Sequence, residues 1–356
     1  MNVILMVFYL AVALGALVFI HEGGHFLAAR AFGVRVTEFM LGLPGPSIGF
    51  TWRGTRFGVT AVPLGGYAKV CGMEPGPENP HMERALAFIS SRGTVYADDF
   101  AAEAGITTEE AVETFYALEE WGCVVGPKRA DAHNVFRTRA ARDAASGRAL
   151  AEGTPRAFDD AHELYMRERA QTYRSLPFWK RSVILLAGIA MNLLFVVVAF
   201  VAVYSVFGVD MADAQGALNH VTIPVWQAVL GSFAYMGQVV IAVVGLFNPA
   251  TVSDTMSNSV SVIGMAVVSK QYADAGPLAF LFFMAMISVS LGIMNLLPIP
   301  PLDGGRFVIE VFQKITGRVV GYRAMNVMTF AGLALMLVFF VVMLNQDIHR
   351  FIFGEM

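Results

Sequence analysis

Residues 3–20, 183–207 and 324–344 are apolar runs long enough to cross a lipid bilayer, which takes about 20 residues as a helix. Hydrocarbon offers no water to backbone amides, so each run is expected to bond internally as a helix. A fourth run, 278–298, is apolar but for Ser288, Ser290 and Asn295. A fifth, 225–247, is interrupted by Gly231, Ser232 and Gly237 and is expected to be an interfacial or partly buried helix, with a complete span as the lesser possibility. Hydrophobic residues make up 56% of the chain and charged ones 15%, against about 25% charged in soluble domains. The expected fold is a polytopic α-helical membrane protein with about four transmembrane helices, a membrane-associated β region and a small α+β soluble insertion.

The first run lacks the basic flank and small-residue cleavage site of a signal peptide, so it is expected to be retained. Arg30, Arg35, Arg53, Arg56 and Lys69 follow it, Arg174, Lys180 and Arg181 precede the second span, and Arg306, Lys314, Arg318 and Arg323 separate the last two. Asp210, Asp213, Asp254 and Asp274 fall after the second span. Basic loops stay cytoplasmic, so four spans with both termini outside the cytoplasm of a cell (inner) membrane satisfy the pattern. Net charge is −3, which points to no polyanionic partner. Cys71 and Cys123 have no paired spacing and read as separate buried thiols.

The chain divides at about residues 78 and 175. Residues 34–70 alternate like strands, with Arg53-Gly54 as a hairpin turn. Glu-Pro-Gly-Pro-Glu-Asn-Pro at 74–80 breaks regular structure and reads as a linker. Helices are expected at 83–90, 97–104 and 108–121, the third capped by Thr107 or Thr108 with acids in its first turn. Strands at 124–125 and 134–136 flank a turn opening with Gly126-Pro127, and 139–169 is Ala- and charge-rich, so a helical or mobile segment is expected there.

The chemistry concentrates in two places. His21-Glu22-Gly23-Gly24-His25 is an H-E-x-x-H pattern; residues four apart share a helix face, so both imidazoles can reach one zinc ion while Glu22 takes a proton from water. A catalytic zinc needs a third protein ligand and one open position. The best candidate is Asp303, in Asn295-Leu296-Leu297-Pro298-Ile299-Pro300-Pro301-Leu302-Asp303-Gly304-Gly305. Its prolines force extended backbone at membrane depth, tolerable only where protein packs it or a cavity is lined. The plainer alternative is that Asp303 caps a helix starting at Gly304.

Together these motifs resemble the site-2 protease family of intramembrane zinc metalloproteases, in its bacterial RseP-like branch. The resemblance implies one catalytic zinc held by His21, His25 and Asp303, with Glu22 as general base and Asn295 helping to hold the substrate strand. Pro63-Leu64-Gly65-Gly66-Tyr67-Ala68-Lys69-Val70 is similar to the family's membrane-dipping hairpin, which implies substrate contacts at Gly65, Gly66 and Tyr67 through strand addition. Ala187-Gly188-Ile189-Ala190-Met191-Asn192 is similar to the second-span motif and brings in Asn192, for which a plain helix-packing amide is the alternative. Ile189 stands where proline is usual, Gly23 where a bulky residue is usual, and Ser261-Val262-Ile263-Gly264 where the family often has S-G-P-x-G. About twenty residues after the second span leave no room for a PDZ domain there. The implied reaction is hydrolysis of peptide bonds in or near transmembrane segments, as in regulated intramembrane proteolysis. The implied substrates are single-pass membrane proteins or remnant signal peptides, met within membrane lipid.

Helices followed by a wing make the insertion resemble a winged-helix domain, and the run from Leu118 to Pro127 is similar to the FtsK gamma type. Its would-be recognition helix carries Glu109, Glu110, Glu113, Glu119 and Glu120 without Lys or Arg. Phosphate contacts dominate DNA affinity, so a protein partner is expected and nucleic acid is disfavoured. Rival readings are a catalytically silent scaffold that keeps the metal site, and a metal transporter, for which the spans offer too few ionisable groups.

Overall fold

The computed structural model describes residues 2–62, 65–128, 131, 134–142, 149–212, 218–252, 255 and 261–348. Pro63 and Leu64 of the hairpin motif, and Asp213 and Asp254 of the charge pattern, lie outside them. The first helix, α1, runs Val3–Ala31, with the Asn2 side chain accepting from Leu5 N. It continues past the apolar run, so the whole H-E-x-x-H pattern is helical.

Strands β1 (Val36–Leu41), β2 (Ser47–Trp52), β3 (Thr55–Thr60) and β4 (Gly66–Val70) follow. They form one sheet in the order β2-β3-β1-β4, with β1 parallel to β3 and antiparallel to β4. Arg53 and Gly54 both take positive φ, 49° and 84°, the two-residue turn whose twist matches a right-twisted ribbon. Ile48, Phe50 and Trp52 are exposed on β2, an apolar surface that suits lipid.

The insertion comprises α2 (Met82–Arg92), β5 (Thr94–Tyr96), α3 (Ala97–Ala104), α4 (Thr108–Glu120), β6 (Val124–Val125), β7 (Val135–Thr138), β8 (Ala141–Arg142), β9 (Ala149–Leu150) and α5 (Ala161–Arg169). Thr107 caps α4 through a reciprocal capping box with Glu110. The three-stranded sheet has the order β5-β7-β6. β5 has no counterpart in the sequence reading: Thr-Val-Tyr is three residues, too short to show alternation. Of the described residues in 139–169, expected to be helical or mobile, Ala161–Arg169 forms a helix. Gly153 at φ 77° and Pro155 interrupt helical geometry before that point. The core stacks Phe88, Phe100, Phe115 and Phe136, ring to ring, at 5.0–5.4 Å.

Among the described residues, five helices are long and apolar enough to cross a membrane. After α1 comes α6 (Phe178–Val201), prolonged by a π-helical segment to Phe207. A hairpin of β10 (Val209–Ala212) and β11 (Leu218–Val221) leads to α7, Val225–Gly245. Residues 225–247, expected as an interfacial or partly buried helix with a complete span as the lesser possibility, form one continuous helix over Val225–Gly245 that is long and apolar enough to cross. Its glycines do not break it, and Met236 and Val243 pack with Val196, Val289 and Ile293 inside the bundle.

Ile223 N–H donates to Tyr204 O, so α7 starts beside the end of α6. The next helix, Val262–Asp274, ends beside the start of α1: Ser269 donates to Met6 O, and Tyr272 stacks on Phe283. Val225 and Asp274 therefore lie towards the same side of the bundle. The chain then descends as Pro277–Asn295, turns through the prolines into the helix Asp303–Thr316, and finishes with Tyr322–Ile348.

Candidate metal centre

α1 sets His21 and His25 one turn apart, both buried against α6. The approach is closer than any side chain would permit. A Cβ on Gly24 would stand 2.4 Å from Ala187 O, and one on Gly188 would stand 2.4 Å from His25 Nε2 and 2.8 Å from His21 Nε2. Small residues let membrane helices touch backbone to backbone, and here they also seat the imidazoles on α6.

Asp303 reaches this spot because the proline segment folds back on the helix that follows. A Cβ on Gly304 would meet Leu296 O at 2.2 Å, and one on Gly305 would meet Pro300 N at 2.4 Å. The helix begins at Asp303 itself, and no side-chain bond caps it, which disposes of the capping alternative. The carboxylate oxygen Oδ2 instead lies 3.0 Å from His21 Nε2 and 3.2 Å from His25 Nε2, and the two Nε2 atoms are 3.3 Å apart. Ligands at about 2.0–2.1 Å on a tetrahedral ion stand roughly 3.3 Å from one another. The triangle therefore has nearly the dimensions of one face of a zinc coordination tetrahedron. Among the described residues this is the one group of three His, Cys or acidic side chains that converges in this way.

The model of peptidase family M50 matches residues 9–339. The chain belongs to peptidase family M50. This is the site-2 protease family, and the chain is a multi-pass membrane zinc metalloprotease by that membership. It is 27% identical to the Campylobacter jejuni protein named "Putative zinc metalloprotease Cj1068", over 95% of this chain and 92% of that one. It is 29% identical to a like-named protein of Rhizobium meliloti, over 95% and 94%. With the zinc metalloprotease RasP of Geobacillus kaustophilus it shares 22% identity, over 96% and 97%.

The surroundings of the M50 triad suit a metal. His25 Nδ1 lies 2.8 Å from Ile184 O; a carbonyl only accepts, so Nδ1 carries the proton and Nε2 keeps its lone pair free. The Asn192 side-chain amide lies 3.1 Å from His21 Nδ1, and its Oδ1 otherwise has no partner. With the amide oxygen turned onto it, His21 Nδ1–H gains an acceptor, which fixes the same tautomer on His21. Ser288 Oγ donates to Asn192 O at 2.9 Å, tying this residue to the descending helix. Asn192→Ala is expected to weaken zinc binding by about 10–100-fold while Asn192→Asp, which keeps an acceptor, retains most of it; a zinc-chelator competition titration measures both.

Glu22 Oε2 accepts from Ala68 N at 2.9 Å. β4 is the edge strand of its sheet, so the acid beside the triad also touches an unpaired strand edge. Gly66 sits against Val18 and Met40 O, where a Cβ would come within 3 Å of both. Gly65 is at φ 81°. Tyr67 donates across the sheet to Glu38 at 2.8 Å, and Asn295 donates back to Leu291 O in its own helix at 3.0 Å. The structure thus brings together His21, Glu22, His25, Asp303 and Asn192, sets Gly66 next to Glu22, and turns the side chains of Tyr67 and Asn295 to other partners. Gly24, Ile184 and Ser288 were not singled out from sequence. An isolated glycine, a carbonyl and a serine in apolar helices carry no signal until the helices are packed.

Proposed function

We propose that this chain hydrolyses peptide bonds in or near transmembrane segments, using one zinc ion held by His21, His25 and Asp303. The observation that carries this is the three-atom triangle of zinc dimensions next to a glutamate that touches a free strand edge. Zinc, when bound, supplies a Lewis acid that brings the pKa of water towards about 7 and polarises the scissile carbonyl. The chain does the rest. Glu22, one residue from His21, takes the proton of the attacking water and returns it to the leaving amine. A helical substrate is closed to attack because its carbonyls are bonded within the helix. Pairing with the outer edge of β4 would unwind it and lay it past Glu22, and Asn295, at the end of its helix, would hold the strand on the other side.

Single-pass membrane proteins and remnant signal peptides are the proposed substrates, in regulated intramembrane proteolysis at the cell's inner membrane. The basic clusters put the insertion on the cytoplasmic side. Its order of helix, strand, two helices and two strands, with β7 between β5 and β6, supports a winged-helix reading. The acidic face of α4 favours a protein partner over nucleic acid.

The test is cleavage of a tagged single-pass reporter by purified protein in detergent. Cutting is expected, to stop on adding a zinc chelator and to return with zinc. Protein that retains zinc yet leaves several reporters intact would favour a silent scaffold.

A further inference from the structure

A second polar site lies where the insertion meets the sheet, and the proteolytic reading leaves it unused. Arg30 at the end of α1, Arg35 before β1, Arg53 in the β2–β3 turn, and Arg139 and Arg156 of the insertion line one cavity of about 200 Å³, with Gly122 on its wall. No acid lines it. Arg35 is satisfied: it donates to Glu168 at 2.7 Å, to Gln171 at 3.0 Å and to Trp121 O at 3.0 Å. The others are not. Arg156 reaches the backbone carbonyl of Arg139, while its Nε is buried without a partner. Among the described residues no carboxylate pairs with Arg30, Arg53, Arg139 or Arg156. The three acids of the adjoining groove have other hydrogen-bond partners, Glu38 with Tyr67, Glu119 with Gly126 N and Glu152 with Lys128, although the charges of Glu38 and Glu168 still reach Arg139 and Arg156.

Five guanidinium groups around one small space, with one carboxylate among their partners, repel one another. Burial, with the like charge of Arg35 added, lowers the pKa of both Arg139 and Arg156. Buried unpartnered charge is costly, and a buried donor without an acceptor calls for an explanation. An anion supplies one. Arginine forks match phosphate oxygens two at a time, and the space suits a phosphate group, whereas a nucleic-acid duplex is excluded by its size.

We propose that the arginine-lined cavity between α1, the β2–β3 turn and the insertion is a binding site for a phosphate-bearing anion. Bound there, the anion joins arginines from α1 and the sheet to arginines from the insertion. It therefore fastens the soluble module to the sheet that carries β4. The site stands beside aromatic groups typical of a membrane interface: Trp52 lies under Arg53, and Phe32 packs on Trp179 near Arg30. The phosphate can therefore belong to a lipid headgroup or to a soluble molecule, and two probes separate these sources.

Full-length protein is purified in a phosphate-free, low-salt detergent buffer. It is titrated with pyrophosphate, or with micelles containing phosphatidylglycerol against phosphatidylcholine. Thermal unfolding and retained lipid by native mass spectrometry are the readouts. Stabilisation by pyrophosphate identifies a soluble ligand; stabilisation and retention with phosphatidylglycerol alone identify a headgroup. In either case Arg139→Gln with Arg156→Gln is expected to weaken binding at least tenfold. The same protein should unfold no earlier than wild type without ligand, because repulsion is relieved. Arg139→Lys, which keeps charge but loses the fork, should lie between the two. Arg92→Gln, exposed and paired with Glu103, should bind as wild type does. The proposal is overturned if neither probe stabilises the protein, if the double variant binds unchanged, or if Arg92→Gln weakens binding equally.

Discussion

Glu22→Gln is expected to abolish reporter cleavage while leaving one zinc per chain, whereas Asp303→Ala is expected to lose both metal and activity. The amide keeps the size and the Ala68 contact of the native side chain but cannot take a proton, so the variant loses the roughly 10²–10⁴-fold that a positioned base contributes, and more where the water is otherwise unoriented. Glu22 is not one of the three converging ligands, so metal content should hold. Asp303 is the only ligand from outside α1 and the only anionic one. Its removal leaves His21 and His25, two neutral donors on one helix, and opens the Oδ2 corner of the triangle. Metal analysis alongside cleavage separates the two roles. Zinc lost from Glu22→Gln, or zinc and activity kept by Asp303→Ala, would refute the assignment.

A single methyl group on Gly188 should do as much harm as deleting a ligand. Its Cβ would lie 2.4 Å from His25 Nε2 and 2.8 Å from both His21 Nε2 and Cε1, well inside van der Waals contact, and the atoms it meets are the metal-binding ones. The rings cannot swing away without breaking the His25–Ile184 and His21–Asn192 contacts. Gly188→Ala is therefore expected to cut zinc occupancy at least tenfold, although every ligand remains. Gly23→Ala is the control. Nothing lies within 4 Å of a Cβ there, and alanine gains about 1 kcal/mol of helix propensity, so zinc content should be unchanged and the unfolding midpoint no lower. Full zinc occupancy in Gly188→Ala would mean that α1 and α6 are less closely clamped than the structure shows.

Both results turn on how far residues apart in sequence meet. Local features were legible in advance because their causes are local. The Arg53-Gly54 turn, a threonine cap at 107 or 108 with acids in the first turn, and the helical spacing of His21 and His25 each follow from a few neighbouring residues. Where causes are tertiary, the reading fell short. Thr94–Tyr96 becomes a strand because Val135–Thr138 pairs with it. For α7 the sequence left the placement open among interfacial, partly buried and spanning, and the packing of Met236 and Val243 on α6 and the descending helix supplies the contacts its glycines could not reveal.

By itself the sequence determined that the chain lives in a membrane, that one helix face presents two imidazoles, and that an acid follows a proline break. Those properties depend on composition and on periods of a few residues. Only the tertiary structure decided that Asp303 turns its carboxylate to the histidines instead of capping its own helix. It alone sets Gly24 and Gly188 where the helices touch, brings Glu22 to the edge of β4, and gathers five arginines into one cavity. The physical reason is the same in each case. The energy of these contacts comes from desolvation and close approach between segments, and neither exists until the segments have packed.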